Sequence, residues 1–431
     1  MKRKLGRLIA FSFTISILTG CGISSGDAFD KSVVKPAKIE KIKAEKLTSD
    51  TEEKKDIDVN IASYDSIHDF SYELLKHNLD QDNPVLSPIS AYFALAMTGN
   101  GARGETLEEF YELLGINLNT IPYEILHSLQ REEEGMTVSF ANSAWVDEQL
   151  QAEDTYLAAV ENYFDAEVYQ QKLSTQQAMD DMNIWVNAKT NGLIPAMINE
   201  PLDADTRLVL FNTIYFNGKW KTPFKGYSTR DFDFTTEDGN VTTAPMMQMY
   251  ETDQLYVKND IAEGVILPYK DEDLVFLALM PADEITVREM YEQLTWEDIS
   301  KFLVQEETTL CNLRFPKFEV TFEKELNQSL KDMGLKRAFD GSLSDLSGLG
   351  TTTSGDNLFI SLVKQKAILI LDEEGTEASA ATMVEVKEEC AVEYDVPPVN
   401  LYFDNPFLYM IVDKTNDIPL FVGIMDAPKE S

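Results

Sequence analysis

Cysteine and histidine are scarce in this chain, with three of each in 431 residues. Cys21, Cys311 and Cys390 stand far apart, which excludes a disulfide framework and a clustered-thiol metal site. Cys311 and Cys390 are expected to stay free, although a single disulfide between them remains open. His68, His77 and His127 all fall in the first third of the chain. No pair has metal-ligand spacing, and no plausible Cys or Ser partner stands nearby, so neither a metal centre nor a His-dependent hydrolase is supported. No cofactor is expected. Basic residues are also short: 37 Lys and Arg face 74 Asp and Glu, a net charge of −37. A body this acidic does not dock on nucleic acid phosphates.

A long apolar run is missing as well. Lys2, Arg3, Lys4 and Arg7 precede a mostly apolar stretch from Leu8 to Leu18, too short to span a bilayer. Residues 1–20 therefore read as a signal peptide. The stretch ends in "LTGC", which resembles a bacterial lipobox with Cys21 as the lipidated residue. Loss of the leader would remove four basic residues and no acidic one, leaving 33 against 74. Residues 21–60 are polar, with Lys alternating with Asp and Glu, and are expected to be a flexible tether. Together these features predict a protein at the cell surface, lipid-anchored to a bacterial membrane and otherwise free of it.

From Ile61 the texture changes. Ile61, Tyr64, Ile67, Phe70 and Leu74 recur at helical spacing. A second helix is expected over Ala91 to Thr98, with Ser87 or Ser90 as its cap. "NIWVNAKTNGLI" predicts a helix ending at Asn191-Gly192. "RLVLFNTIYF" and "LVFLALMP" read as buried strands, and "FLYMIV…PLFVGIM" as a hairpin. "GSLSDLSGLGTTTSG", Gly341 to Gly355, reads as a mobile surface loop. No Pro/Gly/Ser linker divides 61–431, so one large α+β domain is expected. Two catalytic-looking motifs fail on context. "GNGARG", Gly99 to Gly104, fits a dinucleotide fingerprint but follows a helix rather than a strand. "GISSG", Gly22 to Gly26, fits a nucleophile elbow but has no strand to hold Ser24.

One stretch asks for more. In "LDEEGTEASAATMVEV", Leu371 to Val386, positions alternate from Thr376 as in a half-buried strand. Yet the residues are small, and Ala and Ser are poor strand formers. "EEGTEASAAT", Glu373 to Thr382, resembles the hinge of the serpins, inhibitors that trap proteases by a conformational change. "NPVLSPISAYFALAMTGNGARGETLEEF", "ANSAWV", "NIWVNAKTNGLI", "LVLFNTIYFNGKWKTPF", "LRFPKFEV" and "LKDMGLKRAFD" are similar to further blocks of that family, in order over about residues 61–427.

The resemblance implies an α+β fold of three β-sheets with surrounding helices and an exposed reactive loop. It implies a monomeric inhibitor, not an enzyme, whose partner is a serine-type or cysteine-type protease held as a covalent acyl complex. The cut loop then enters the largest sheet as a new strand. The hinge would be Glu373, Glu374, Gly375, Thr376, Glu377, Ala378, Ser379, Ala380, Ala381 and Thr382. Its small even-numbered side chains would face inward, Thr376 first. Ser87, Ser90, Asn212 and Gln365 match a polar cluster below the point where the sheet opens; the family usually has His at the last of these. Trp220, and an ion pair of Glu373 with Lys317, match the point of entry. Counting from Gly375 puts the reactive bond at Glu389–Cys390, whereas counting back from "NPF" lands near Asp395. Lys387 and Tyr394 are the alternative sites. A non-inhibitory serpin-fold binding protein or protease substrate is the competing reading, disfavoured because the inserting face carries no charge or bulk before Glu388.

Overall fold

A computed structural model describes residues 37–39, 42–47, 64–282, 284–376 and 397–428. Their strands form sheets of eight, nine and two strands. In chain order the eight-stranded sheet contains β1 (Glu45–Leu47), β2 (Met136–Val146), β3 (Glu167–Gln170), β4 (Leu208–Lys219), β5 (Phe318–Glu325), β6 (Lys364–Leu371) and β7 (Gly375–Thr376). Across the sheet they run β1-β3-β2-β4-β7-β6-β5, and Arg131–Glu133 adds a short strand to β2. The β2–β3 pairing is parallel and the other pairings are antiparallel.

Helices cover both faces of this sheet. Helix α1 (Asp65–Lys76) buries Ile67, Phe70 and Leu74, the face its spacing predicts. Helix α2 (Pro88–Gly99) is buried nearly all round, as an apolar helix must be, and Pro88 opens it at a position where no amide partner is lost. Helix α3 (Gly104–Leu114) follows at once, so "GNGARG" is a helix–helix turn. Gly101 earns its place sterically, since a Cβ there would lie 2.1 Å from Leu349 Cδ2. On the opposite face, helix α4 (Gln176–Lys189) covers a second apolar cluster of Trp145, Tyr169, Met182, Trp185 and Phe211. It ends at Lys189, and the chain turns away through Asn191-Gly192, both at positive φ, within three residues of the expected end.

The expected strands and hairpin are present at Leu274–Pro281, Phe407–Asp413 and Ile418–Met425. Three expectations need correction. First, the tether predicted over 21–60 is not free throughout. β1 pairs with the outer edge of β3, and Ile42 and Ala44 pack on the second cluster. Buried Asp181 of α4 accepts the amides of Lys43 and Ala44 at 3.1 and 3.2 Å, and Asn187 accepts that of Ala37 at 2.6 Å. Residues 37–39 and 42–47 thus act as a strap, whose β1 covers an otherwise open sheet edge. Second, the Gly341–Gly355 loop is anchored. Leu346 and Leu349 are buried, and Gly350–Thr352 pairs with Leu150–Ala152. Third, Ser87 stands at the α2 N-terminus, but neither it nor Ser90 caps the helix through its side chain.

Candidate functional site

Among the described residues the centre of the eight-stranded sheet is incomplete. Among the described residues β4 and β6 are joined only through the two residues of β7, where Thr376 pairs with Gly218 on one side and Leu371 on the other. Below that point no strand pairing joins β4 to β6 among the described residues. A cavity of about 390 Å³ lies along the gap, lined by Ser87, Ser90, Ile194, Asn212, Gln365 and Ile368 among others.

The upper end of the gap is tightly held. After β6 the chain reverses through Asp372–Gly375, closed by the Asp372 amide donating to Gly375 O at 2.9 Å. The amides of Trp220 and Phe224 donate to Glu374 O and Glu373 O, each at 2.9 Å, and Trp220 Nε1 donates to Asp372 O at 3.0 Å. Gly375 is required twice over. Its φ is +156°, and a Cβ would lie 2.0 Å from Gly218 O. Glu373 pairs with Lys317 at 2.8 Å and accepts Thr229 Oγ1 at 2.8 Å. Burial pushes its carboxyl up, but the bonds from Lys317 and Thr229 outweigh that and hold it below the ordinary carboxylate range.

Thr376 is not waiting outside the sheet. Its side chain is only 1% exposed, and Oγ1 lies 2.6 Å from the hydroxyl of Tyr269. Tyr269 is fully buried and stacks on Trp220 with ring centroids 4.7 Å apart. Burial raises its phenol well above the usual value.

The four polar residues grouped by resemblance line one cavity, but they divide into two sets of hydrogen bonds. Gln365 clamps the peptide groups of Ser87, accepting its amide at 3.2 Å and donating Nε2 to its carbonyl at 2.7 Å. Ser87 and Ser90 share a hydroxyl bond at 3.0 Å. Asn212 instead donates to Asn142 Oδ1 at 2.7 Å, and Asn142 donates to Phe164 O at 2.7 Å. Asn212 Oδ1 and Thr213 Oγ1 have no partner among the described residues.

Sequence reasoning missed Tyr269, Thr229, Asn142 and Lys366. Lys366 on β6 donates to Ala196 O at 3.2 Å, in the segment that crosses the gap after α4. None of these carries a local signal, because each partner lies far off in sequence. Cys21, Glu377 to Thr382, Glu389 and Cys390 lie outside the described residues. Among the described residues no group of three His, Cys, Asp or Glu is placed to hold a metal, and Cys311 is buried and free.

A sheet whose central place holds, among the described residues, only Gly375 and Thr376 defines a class of fold. Comparison with known proteins agrees. The profile of the family described as "Serpin (serine protease inhibitor)" matches residues 65–428. Alpha-1-antiproteinase of Rattus norvegicus is 31% identical over 375 residues, covering 84% of this chain and 88% of that protein. Alpha-1-antiproteinase F of Cavia porcellus is 31% identical over 369 residues, covering 83% and 89%. Among solved structures, the thermophilic serpin tengpin in its native state is similar with a TM-score of 0.77 at 30% identity, over 92% of this chain and all of that one. Tengpin in its latent state gives 0.74 at 29% identity, over 86% of this chain. The chain belongs to the serpin family of serine protease inhibitors.

Proposed function

We propose that this serine protease inhibitor is a lipid-anchored suicide substrate cut at Glu389–Cys390. The observation that carries the reading is the gap between β4 and β6 below Thr376, which no strand of the described residues fills. A strand entering there would continue β7 downward. Its amides would meet two open strand edges, and its small inward side chains would meet the cavity. The protease hydroxyl adds to the Glu389 carbonyl and forms an ester. The Glu389–Cys390 peptide bond breaks, and the Cys390 amine leaves with the proton. Insertion then carries the acyl-enzyme away from the loop's starting position before water can resolve the ester. The inhibitor needs no cofactor, performs no turnover and acts as a monomer.

The anchor is the second part of the proposal. "LTGC" after a basic and apolar leader supports lipid attachment at Cys21 and placement on the surface of a bacterial membrane. The acidic body supplies no further membrane contact.

Incubation with a protease panel, followed by denaturing electrophoresis and mass spectrometry, tests the mechanism. The expected result is a denaturation-resistant complex and a released fragment beginning at Cys390. Cleavage without a complex would leave the protein a substrate, and a fragment beginning elsewhere would move the reactive bond. Cys21→Ala should release the protein from membranes while the body still inhibits; a variant that still sediments with membranes would refute the anchor.

A further inference from the structure

Tyr269 belongs to no element the family resemblance singles out, yet among the described residues it makes the one side-chain hydrogen bond found at Thr376. Its ring is wedged between Trp220, stacked at 4.7 Å, and the edge of Phe216 at 5.0 Å. Gly218 of β4 makes room for it, since a Cβ there would lie 2.8 Å from Tyr269 Cδ1. The aromatic packing therefore fixes the hydroxyl at the mouth of the gap, and the 2.6 Å bond joins it to Thr376 Oγ1. Both residues are buried, so neither hydroxyl has solvent to fall back on.

We propose that Tyr269 is a positioning residue for loop insertion, its hydroxyl holding Thr376 inside the sheet before any protease arrives. The inference rests on the insertion mechanism proposed above and adds its starting point. A strand that must enter from solution first orders its leading residue between two edges, and only later residues gain from the ladder. Here that first step is complete in the uncut protein. The acyl-enzyme then competes against hydrolysis with one slow step already behind it. Tyr269 touches neither the protease nor the scissile bond, so its effect falls on the partition after acylation and not on the encounter.

The test uses Tyr269→Phe, which keeps the ring and removes the hydroxyl, and Thr376→Val, which removes the same bond from the loop side without altering the body's packing. Each single variant leaves one buried hydroxyl unpaired, whereas the double variant leaves none. Amide exchange at 375–376, read by mass spectrometry, should rise about tenfold in each single variant and return toward wild type in the double one. Equal stabilities of docked and undocked hinge in wild type and Tyr269→Phe, seen as unchanged exchange, would overturn the proposal. Against a protease that wild type traps, the number of inhibitors consumed per enzyme should rise severalfold in Tyr269→Phe with the association rate unchanged. A wild-type ratio in both single variants would also overturn it. A wild type that traps no protease would instead refute the suicide-substrate reading, and the exchange measurement would still decide the role of Tyr269.

Discussion

Replacing Asp181 measures how firmly the N-terminal strap is held. The carboxylate is fully buried; Oδ2 accepts the amides of Lys43 and Ala44 at 3.1 and 3.2 Å, and Oδ1 accepts Gln177 Nε2 at 2.8 Å. A hydrogen bond to a charged group contributes about 1.5–3 kcal/mol, so the two strap bonds supply about 3–6 kcal/mol. Ordering the strap costs about 1–2 kcal/mol per residue. The β1–β3 ladder and the burial of Ile42 and Ala44 offset that cost only in part. Docking is then a small difference that depends on the carboxylate, and Asp181→Ala should free residues 42–47. Asp181→Asn should be milder. Its oxygen could still accept both strap amides, but its NH₂ would face Gln177 Nε2. Gln177 would have to flip and give up Lys43 Nζ, now 2.8 Å from Oε1. Native-state amide exchange reads the outcome directly. The Lys43 and Ala44 amides should exchange near the solvent rate in the Ala variant and at an intermediate rate in the Asn variant, while β4 and β6 stay protected. Unchanged protection of residues 43–47 in Asp181→Ala would refute the reasoning.

Further outcomes follow from the hinge. Thr376→Arg must bury an unpaired guanidinium at several kcal/mol or expel the hinge; each 1.4 kcal/mol slows insertion about tenfold. The variant should be cut without forming a stable complex, and complexes at the wild-type ratio would exclude an inward Thr376 as the gate. Glu373 has a depressed pKa, so its stabilisation is fully present above its ordinary value of 4.5 and is lost as pH falls through the lower, folded value. Protection of the amides at 373–376, taken relative to their intrinsic exchange rate at each pH, should fall on acidification in that window, and Glu373→Gln should flatten the dependence; an unchanged pH profile in the variant would assign it to another group. Proteolytic cutting within 387–395 should raise the unfolding temperature, because insertion completes the sheet. An unchanged or lower temperature, measured by calorimetry, would favour a non-inhibitory serpin.

Much of this architecture was legible because it is locally periodic. The Ile67, Phe70 and Leu74 spacing gives the buried face of α1, and the apolar run within β4 gives a central strand. The strap was not legible. "EKL" has no strand pattern of its own, and its docking depends on Asp181 and Asn187, over a hundred residues away. The Gly341–Gly355 segment misled differently. Its Ser and Gly content suggests exposure, but Leu346 and Leu349 carry the signal that it packs down. At the site, resemblance grouped Asn212 with Ser87 and Ser90. It could not show that Asn142 on β2, directly opposite in the ladder, would take the Asn212 side chain instead.

The bonds around the gap show why its two sides differ. α4 is fastened to the β3 side of the sheet by the strap and by Trp185 Nε1 donating to Glu167 at 2.6 Å. The segment that follows it reaches both sides, through Asn191 Nδ2 on the Tyr215 hydroxyl of β4 at 3.1 Å and Lys366 of β6 on Ala196 O at 3.2 Å. Packing of Leu193 with Tyr215 and Ile370 closes the same bridge with apolar contacts. On the β4 side this bridge is backed by α4 and the strap. On the β6 side the polar attachment is one lysine, which also pairs with Glu323 at 2.9 Å and so keeps a partner when Ala196 O withdraws. Letting go of β6 therefore strands no buried charge. Letting go of the β3 side would uncover the Asp181 carboxylate and the amides it accepts. These attachments make the β6 edge the one released at lower cost, beside a Thr376 already seated between β4 and β6.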